Sequence, residues 1–181
     1  MICRRCCGSE RLLHIACPED CPHLQAHEAF QLARQGERYR DAWSEAVRGA
    51  SEGDVRALGV LERCVVHAVT RHPSSGDAET LAALEDLHRR LSPIEIVSGS
   101  PPDLVRAMQS AVDEAAGAVT REAIRDAISR LSRIGASLEE GASSRGFLRG
   151  LTAWVLARST LSTDRPRSEL IVTPEDLRRD Q

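Results

Sequence analysis

The sequence predicts a mostly α-helical protein, with a small cysteine-rich segment at its N-terminus and then five or six helices in a bundle or irregular helical array. Three observations carry this expectation. Apolar residues recur at intervals of three and four along most of the chain, the period of a helix with one buried face. Proline, glycine and cap-forming residues cut those runs at ordinary helix lengths. Five of the six cysteines fall within the first 21 residues, and the rest of the chain holds only Cys64.

The first helical run is expected over 24–49, with Leu24, Phe30, Ala33, Tyr39, Trp43 and Val47 as its stripe and an interruption near Gly36. Asp54 is expected to cap the second, whose apolar face reads Val55, Leu58, Leu61, Val65, Ala68 and Val69 and which ends before Pro73. Asp77 opens the third, carrying Leu81, Leu84, Leu87 and Leu91, with Pro93 as its stop. Residues 94–97 alternate like a strand but stand alone, so they are expected as extended linker, and Gly99-Ser100-Pro101-Pro102 is the clearest break in the chain. Asp103 caps a helix over 103–116, and 120–140 follows with Ile124, Ile128, Leu131, Ile134 and Leu138 on one face. After a glycine-bounded turn over 141–146, Phe147, Leu148, Leu151, Trp154, Val155 and Leu156 mark the most apolar helix. The organisation expected is therefore a metal-binding segment over 1–27, a helical domain over 28–161 and a tail over 162–181, in which Leu170-Ile171-Val172 is apolar.

Composition bounds the function. The chain has 181 residues, 41% apolar and 28% charged, enough for one packed domain. Aromatic residues are only 3%, so aliphatic side chains must fill the core. All 24 basic residues are arginine, and lysine and asparagine are both absent, which points to a GC-rich bacterial genome rather than to a demand for guanidinium. A formal charge of −3 argues against the broad basic surface of a non-specific nucleic-acid binder. No apolar run is long enough for a membrane span, and arginines and cysteines stand where a signal peptide would be apolar. A cytoplasmic protein is expected, and in that reducing compartment clustered cysteines read as a metal site rather than as disulfides.

The cysteines form two pairs, Cys3-x2-Cys6 (or Cys3-x3-Cys7) and Cys17-x3-Cys21, about ten residues apart. Zinc takes four soft ligands in a tetrahedron, and a short C-x(2–4)-C turn delivers two thiolates from one chain reversal. Gly8 follows the first pair, where a knuckle needs a residue free to take positive φ. Pro18-Glu19-Asp20 beside the second pair has the character of a helix start. The expected ligands are Cys3, Cys6, Cys17 and Cys21, with Cys7, His23 and His14 as alternates. An iron–sulfur cluster also uses four cysteines, though with different usual spacings, and a Cys3/Cys6 dithiol lacks the strand-then-helix setting of a redox motif.

A knuckle, a hairpin and a helix bearing the last ligands resemble the treble-clef type of zinc finger over residues 3–27. Cys6-Cys7-Gly8, Arg11, Ile15, Cys17-Pro18, Asp20-Cys21 and Leu24 also resemble the head of a group of uncharacterised bacterial proteins that join such a finger to a helical body. That resemblance implies metal binding and brings no activity with it. His67, His72 and His88 are scattered on helices, Cys64 reads as a small buried hydrophobe, and no phosphate loop, H-E-x-x-H or G-x-S-x-G is present. Nothing in the sequence asks for an enzyme. The leading expectation is an interaction or adaptor module with a protein partner. The alternatives are a nucleic-acid regulator using Arg4, Arg5, Arg11, Arg34, Arg38 and Arg40, and a redox or metal sensor dependent on Cys7.

Overall fold

Every helix must satisfy the first free amides of its N-terminus, and how this chain does so explains much of its architecture. The structure, a computed structural model, describes residues 22–93, 99–115, 117, 119–139 and 146–163. They form six helices: α1 (Pro22–Ala46), α2 (Glu52–Arg71), α3 (Asp77–Arg90), α4 (Asp103–Glu114), α5 (Arg121–Glu139) and α6 (Gly146–Thr163). Among the described residues there is no strand, and no helix is long and apolar enough to cross a membrane.

The cap of α2 is Ser51, three residues before the expected Asp54. Ser51 Oγ accepts from Asp54 N at 3.2 Å while Asp54 Oδ2 accepts from Ser51 N at 3.1 Å, a reciprocal capping box. Ser51, through its amide first and then its hydroxyl, holds the Asp54 carboxyl below the usual carboxylate range. At α5 the local device is Thr120, whose Oγ1 accepts from Ala123 N at 3.2 Å. Helix α3 starts at Asp77, as its sequence suggests, but the Asp77 side chain does not serve its own helix. Its two oxygens accept from Phe147 N at 2.9 Å and Leu148 N at 3.0 Å, so it caps α6 from 70 residues away.

Helix α5 packs against α1, α2, α3 and α6, and its expected stripe of Ile124, Ile128, Leu131, Ile134 and Leu138 is buried throughout. Burial of each such side chain contributes on the order of 1.5–3 kcal/mol. Leu58, Leu61 and Val65 of α2, Leu84 and Leu87 of α3, Met108 of α4 and Phe147 and Leu151 of α6 complete one continuous core. Cys64 is buried in it as expected, its thiol donating to Ala111 O at 3.3 Å and pushed up in pKa by burial.

Helix α1 departs from its expected form twice. It runs unbroken through Gly36, because that residue is a contact point rather than a break: a Cβ there would lie 3.2 Å from Ala153 Cβ of α6. On the other side, a Cβ at Gly150 would lie 2.9 Å from Gln35 O and 3.0 Å from Tyr39 Cβ, so missing side chains let the two helices approach closely. The stripe also fails in the first half of α1. Phe30 is 59% exposed, and Leu32 and Ala33 are exposed as well, while Tyr39 is fully buried. Among the described side chains of α1, only those of its second half, Tyr39, Ala42, Trp43 and Ala46, belong to the bundle core or pack against it. Leu156 of α6, one of the residues that mark the most apolar helix, is likewise 53% exposed.

Candidate functional site

On α2, residues 58, 61, 62, 65 and 69 share one helical face, and the face is apolar except at Glu62. That carboxyl is 1% exposed. A buried carboxylate must be hydrogen-bonded or paired, or it takes a proton. Tyr39 comes in from α1 and donates its hydroxyl to Glu62 Oε1 at 2.8 Å. Arg158 comes from α6, with Nη1 at 3.8 Å from Glu62 Oε2, an ion-pair separation beyond hydrogen-bond length. Its guanidinium lies over two indoles, 5.5 Å from the Trp43 ring and 5.3 Å from the Trp154 ring, and the rings themselves are 5.4 Å apart. The faces of both rings are negative and attract the cation, so Arg158 is held in one place without a close carboxylate.

The electrostatics follow from that geometry. Burial pushes the Glu62 carboxyl up to about 7, against the lowering effects of the Tyr39 hydrogen bond, the Arg158 charge, the Trp154 indole N–H and the Arg63 charge. Trp154 Nε1 is buried without a hydrogen-bond partner, as is Trp43 Nε1, so the Trp154 indole favours the carboxylate without bonding to it. Tyr39 is pushed well above the usual tyrosine range, first by burial and then by the neighbouring Glu62 charge, so it remains a hydrogen-bond donor. Inside a helical core, then, one carboxyl gains and loses a proton near neutral pH. Beside it a cavity of about 380 Å³ opens between α2 and α6, lined by Gly59, Glu62, Arg63, Val155, Arg158 and Ser159.

Comparison with protein-family models, with curated proteins and with solved structures finds no match to this chain. The site must therefore be read from its own chemistry.

The residues singled out in the sequence stand elsewhere. Cys3, Cys6, Cys7, His14, Cys17 and Cys21 lie outside the described residues, as do Arg4, Arg5 and Arg11 and the side chain of His23. The apolar tail segment at 170–172 lies outside them too. Among the described residues no three His, Cys, Asp or Glu side chains come together as a metal site. His67 is exposed, His72 ends α2, and His88 stands 3.4 Å from Ser129 across the α3–α5 groove. Of the arginines expected on α1, Arg40 pairs with Asp41 at 3.2 Å and Arg34 stacks on Phe30 at 6.0 Å. Sequence reading passed over Glu62. The signal available was a glutamate inside an otherwise apolar face, and its partners Tyr39 and Arg158 sit on separate helices that no periodicity connects.

Proposed function

We propose that this chain is an interaction module in which residues 1–27 bind structural zinc through Cys3, Cys6, Cys17 and Cys21 and, together with the bundle, present a surface to a protein partner. The donor set supports zinc: two thiolate pairs at knuckle spacing complete a tetrahedron with no open position, which suits a structural site and not a catalytic one. Zinc ligation supplies on the order of 10 kcal/mol of folding free energy to segments too small to form a core.

The observation that carries the interaction reading is the first half of α1. It continues from the cysteine segment and keeps Phe30, 59% exposed, and Leu32, 38% exposed, on a helix whose second half is committed to the bundle. Large apolar side chains left exposed on an uncommitted stretch suit recognition by a groove or a second helix. The helix as a whole speaks less for nucleic acid, since Arg40 is paired with an acid and Arg34 is occupied by a ring.

Two measurements test the reading. Elemental analysis and a visible spectrum of the full chain, purified without chelator or oxygen, are expected to give one zinc per chain in a colourless solution; iron with visible absorption would replace the zinc proposal with a cluster. A Phe30→Asp/Leu32→Asp variant is expected to keep its fold to within roughly 0.5 kcal/mol, because both sites are exposed, and to lose the cross-linked protein species that the wild type forms in its host cells. Unchanged cross-links would remove α1 from the interface.

A further inference from the structure

The cavity between α2 and α6 has a charge pattern that its neighbours leave unbalanced. Around it stand one carboxyl, Glu62, and two guanidinium groups, Arg63 and Arg158. Glu62 has already committed Oε1 to the Tyr39 hydroxyl, and its Oε2 stays 3.8 Å from Arg158. Arg158 is held against Trp43 and Trp154 while 45% of its side chain faces solvent, so its fork of donors is positioned in advance and open to an incoming acceptor. Gly59 also lines the cavity, and an added methyl there would meet only a guanidinium nitrogen of Arg63, at 3.8 Å. The volume, about 380 Å³, lies within the range of small-ligand pockets.

We infer that this cavity binds a small oxyanion, a carboxylate or a sulfate- or phosphate-type group, between the guanidinium groups of Arg63 and Arg158, and that the charge on Glu62 sets the affinity. Planar guanidinium forks match such oxygens through paired charge-assisted hydrogen bonds. While Glu62 is ionised it shares the field of Arg158, and the site carries one net positive charge. Once Glu62 is protonated both cations are left to the ligand. The groups acting on Glu62 are Tyr39 from α1, Arg63 from its own helix, and Arg158 and the Trp154 indole from α6. Tyr39 is pushed further from neutral pH and stays protonated, whereas burial brings Glu62 up to about 7, so Glu62 is the group that switches. Anion binding should therefore take up a proton.

The test is calorimetric titration of the full chain with sulfate and, separately, with acetate, since both anions keep one charge state between about pH 6 and about pH 8. Saturable one-site binding of either anion is expected, at least roughly threefold tighter at the lower pH. Glu62→Gln should bind at the higher pH as the wild type does at the lower. Arg158→Gln and the exposed Arg63→Gln should each weaken binding roughly tenfold. Gly59→Leu keeps every charge and fills the cavity, so it should abolish binding, with circular dichroism confirming its fold. Sulfate alone binding would assign the site to tetrahedral anions, and acetate alone to carboxylates. No saturation by either anion at millimolar concentration would overturn the inference. So would binding that survives both Gly59→Leu and Arg63→Gln, because the anion would then sit elsewhere, and equal affinity at both pH values would remove Glu62 from it. Since none of these readouts involves the cysteine segment or the exposed part of α1, the inference and the interaction reading fail separately.

Discussion

Asp77 and Glu62 are two buried acids in one small core, and their surroundings could hardly differ more. Asp77 is 4% exposed and receives two backbone amides, Phe147 N and Leu148 N, from the start of α6. Those donors are part of the helix itself, cannot rotate away, and would be orphaned without it. Glu62 is 1% exposed and receives one phenol, with a guanidinium standing off at 3.8 Å. Its donors are side chains that also serve the packing of α1 and α6. Backbone donors at a helix start make a fixed joint, whereas side-chain donors in an apolar pocket leave a carboxyl whose charge depends on pH. The first acid holds the fold together, and the second is available for chemistry.

Removing the fixed joint should have the largest effect. Asp77→Ala strands two buried amides and deletes a cap, so it is expected to lower unfolding free energy by about 3 kcal/mol in urea denaturation. Asp77→Asn, which offers one acceptor oxygen in place of two, should lose about half of that. A loss within 0.5 kcal/mol for the alanine variant would show that the α6 start is satisfied in another way, and the contrast would collapse.

The titrating acid should respond next in size. The Glu62 carboxyl is raised to about 7 from an ordinary value of 4.5, so between those values the folded state binds more protons than the unfolded. Its penalty is absent below the unfolded value, grows as pH rises through the window and is complete above the folded value. Glu62→Gln keeps the shape without the charge. It is expected to be more stable than the wild type by about 2 kcal/mol above neutrality and to lose this slope in a series of denaturation curves from about pH 4.5 to about pH 8. Parallel pH profiles for the two proteins would sink the assignment.

The smallest effect sharpens the comparison from the surface. Ser51 caps α2 much as Asp77 caps α6, but it is local and exposed. Ser51→Ala is expected to cost about 1 kcal/mol by denaturant midpoint, since water can replace the lost acceptor. A loss as large as that of Asp77→Ala would mean that burial does not distinguish the two caps.

How much of this was legible in the sequence depends on the range of each interaction. The stripes of α2, α3 and α5 were readable because a helix that buries one face must repeat it, and Ile124 to Leu138 do so without a gap. Breaks at Pro73, Pro93 and Gly99-Ser100-Pro101-Pro102 were readable because proline and glycine act locally. The break expected at Gly36 was a misreading of the same residue type: one glycine ends a helix and another lets two helices touch, and only the neighbour, Ala153, tells them apart. The first half of α1 has the period of a buried helix, yet Phe30 is exposed, since periodicity shows where a buried face could form and not whether a partner covers it.

By itself, then, the sequence determined the helical class, most helix boundaries, the aliphatic core and the concentration of thiols at one end of the chain, because each depends on residues within a few positions of one another. Tertiary structure alone decided which acids matter. Asp77 reads as an ordinary helix start until α6 is brought to it across 70 residues, and Glu62 as one polar residue in an apolar face until Tyr39, Trp154 and Arg158 close around it. The reason is physical: solvation and charge depend on what surrounds a group in space, and the chain order does not record that until the helices pack.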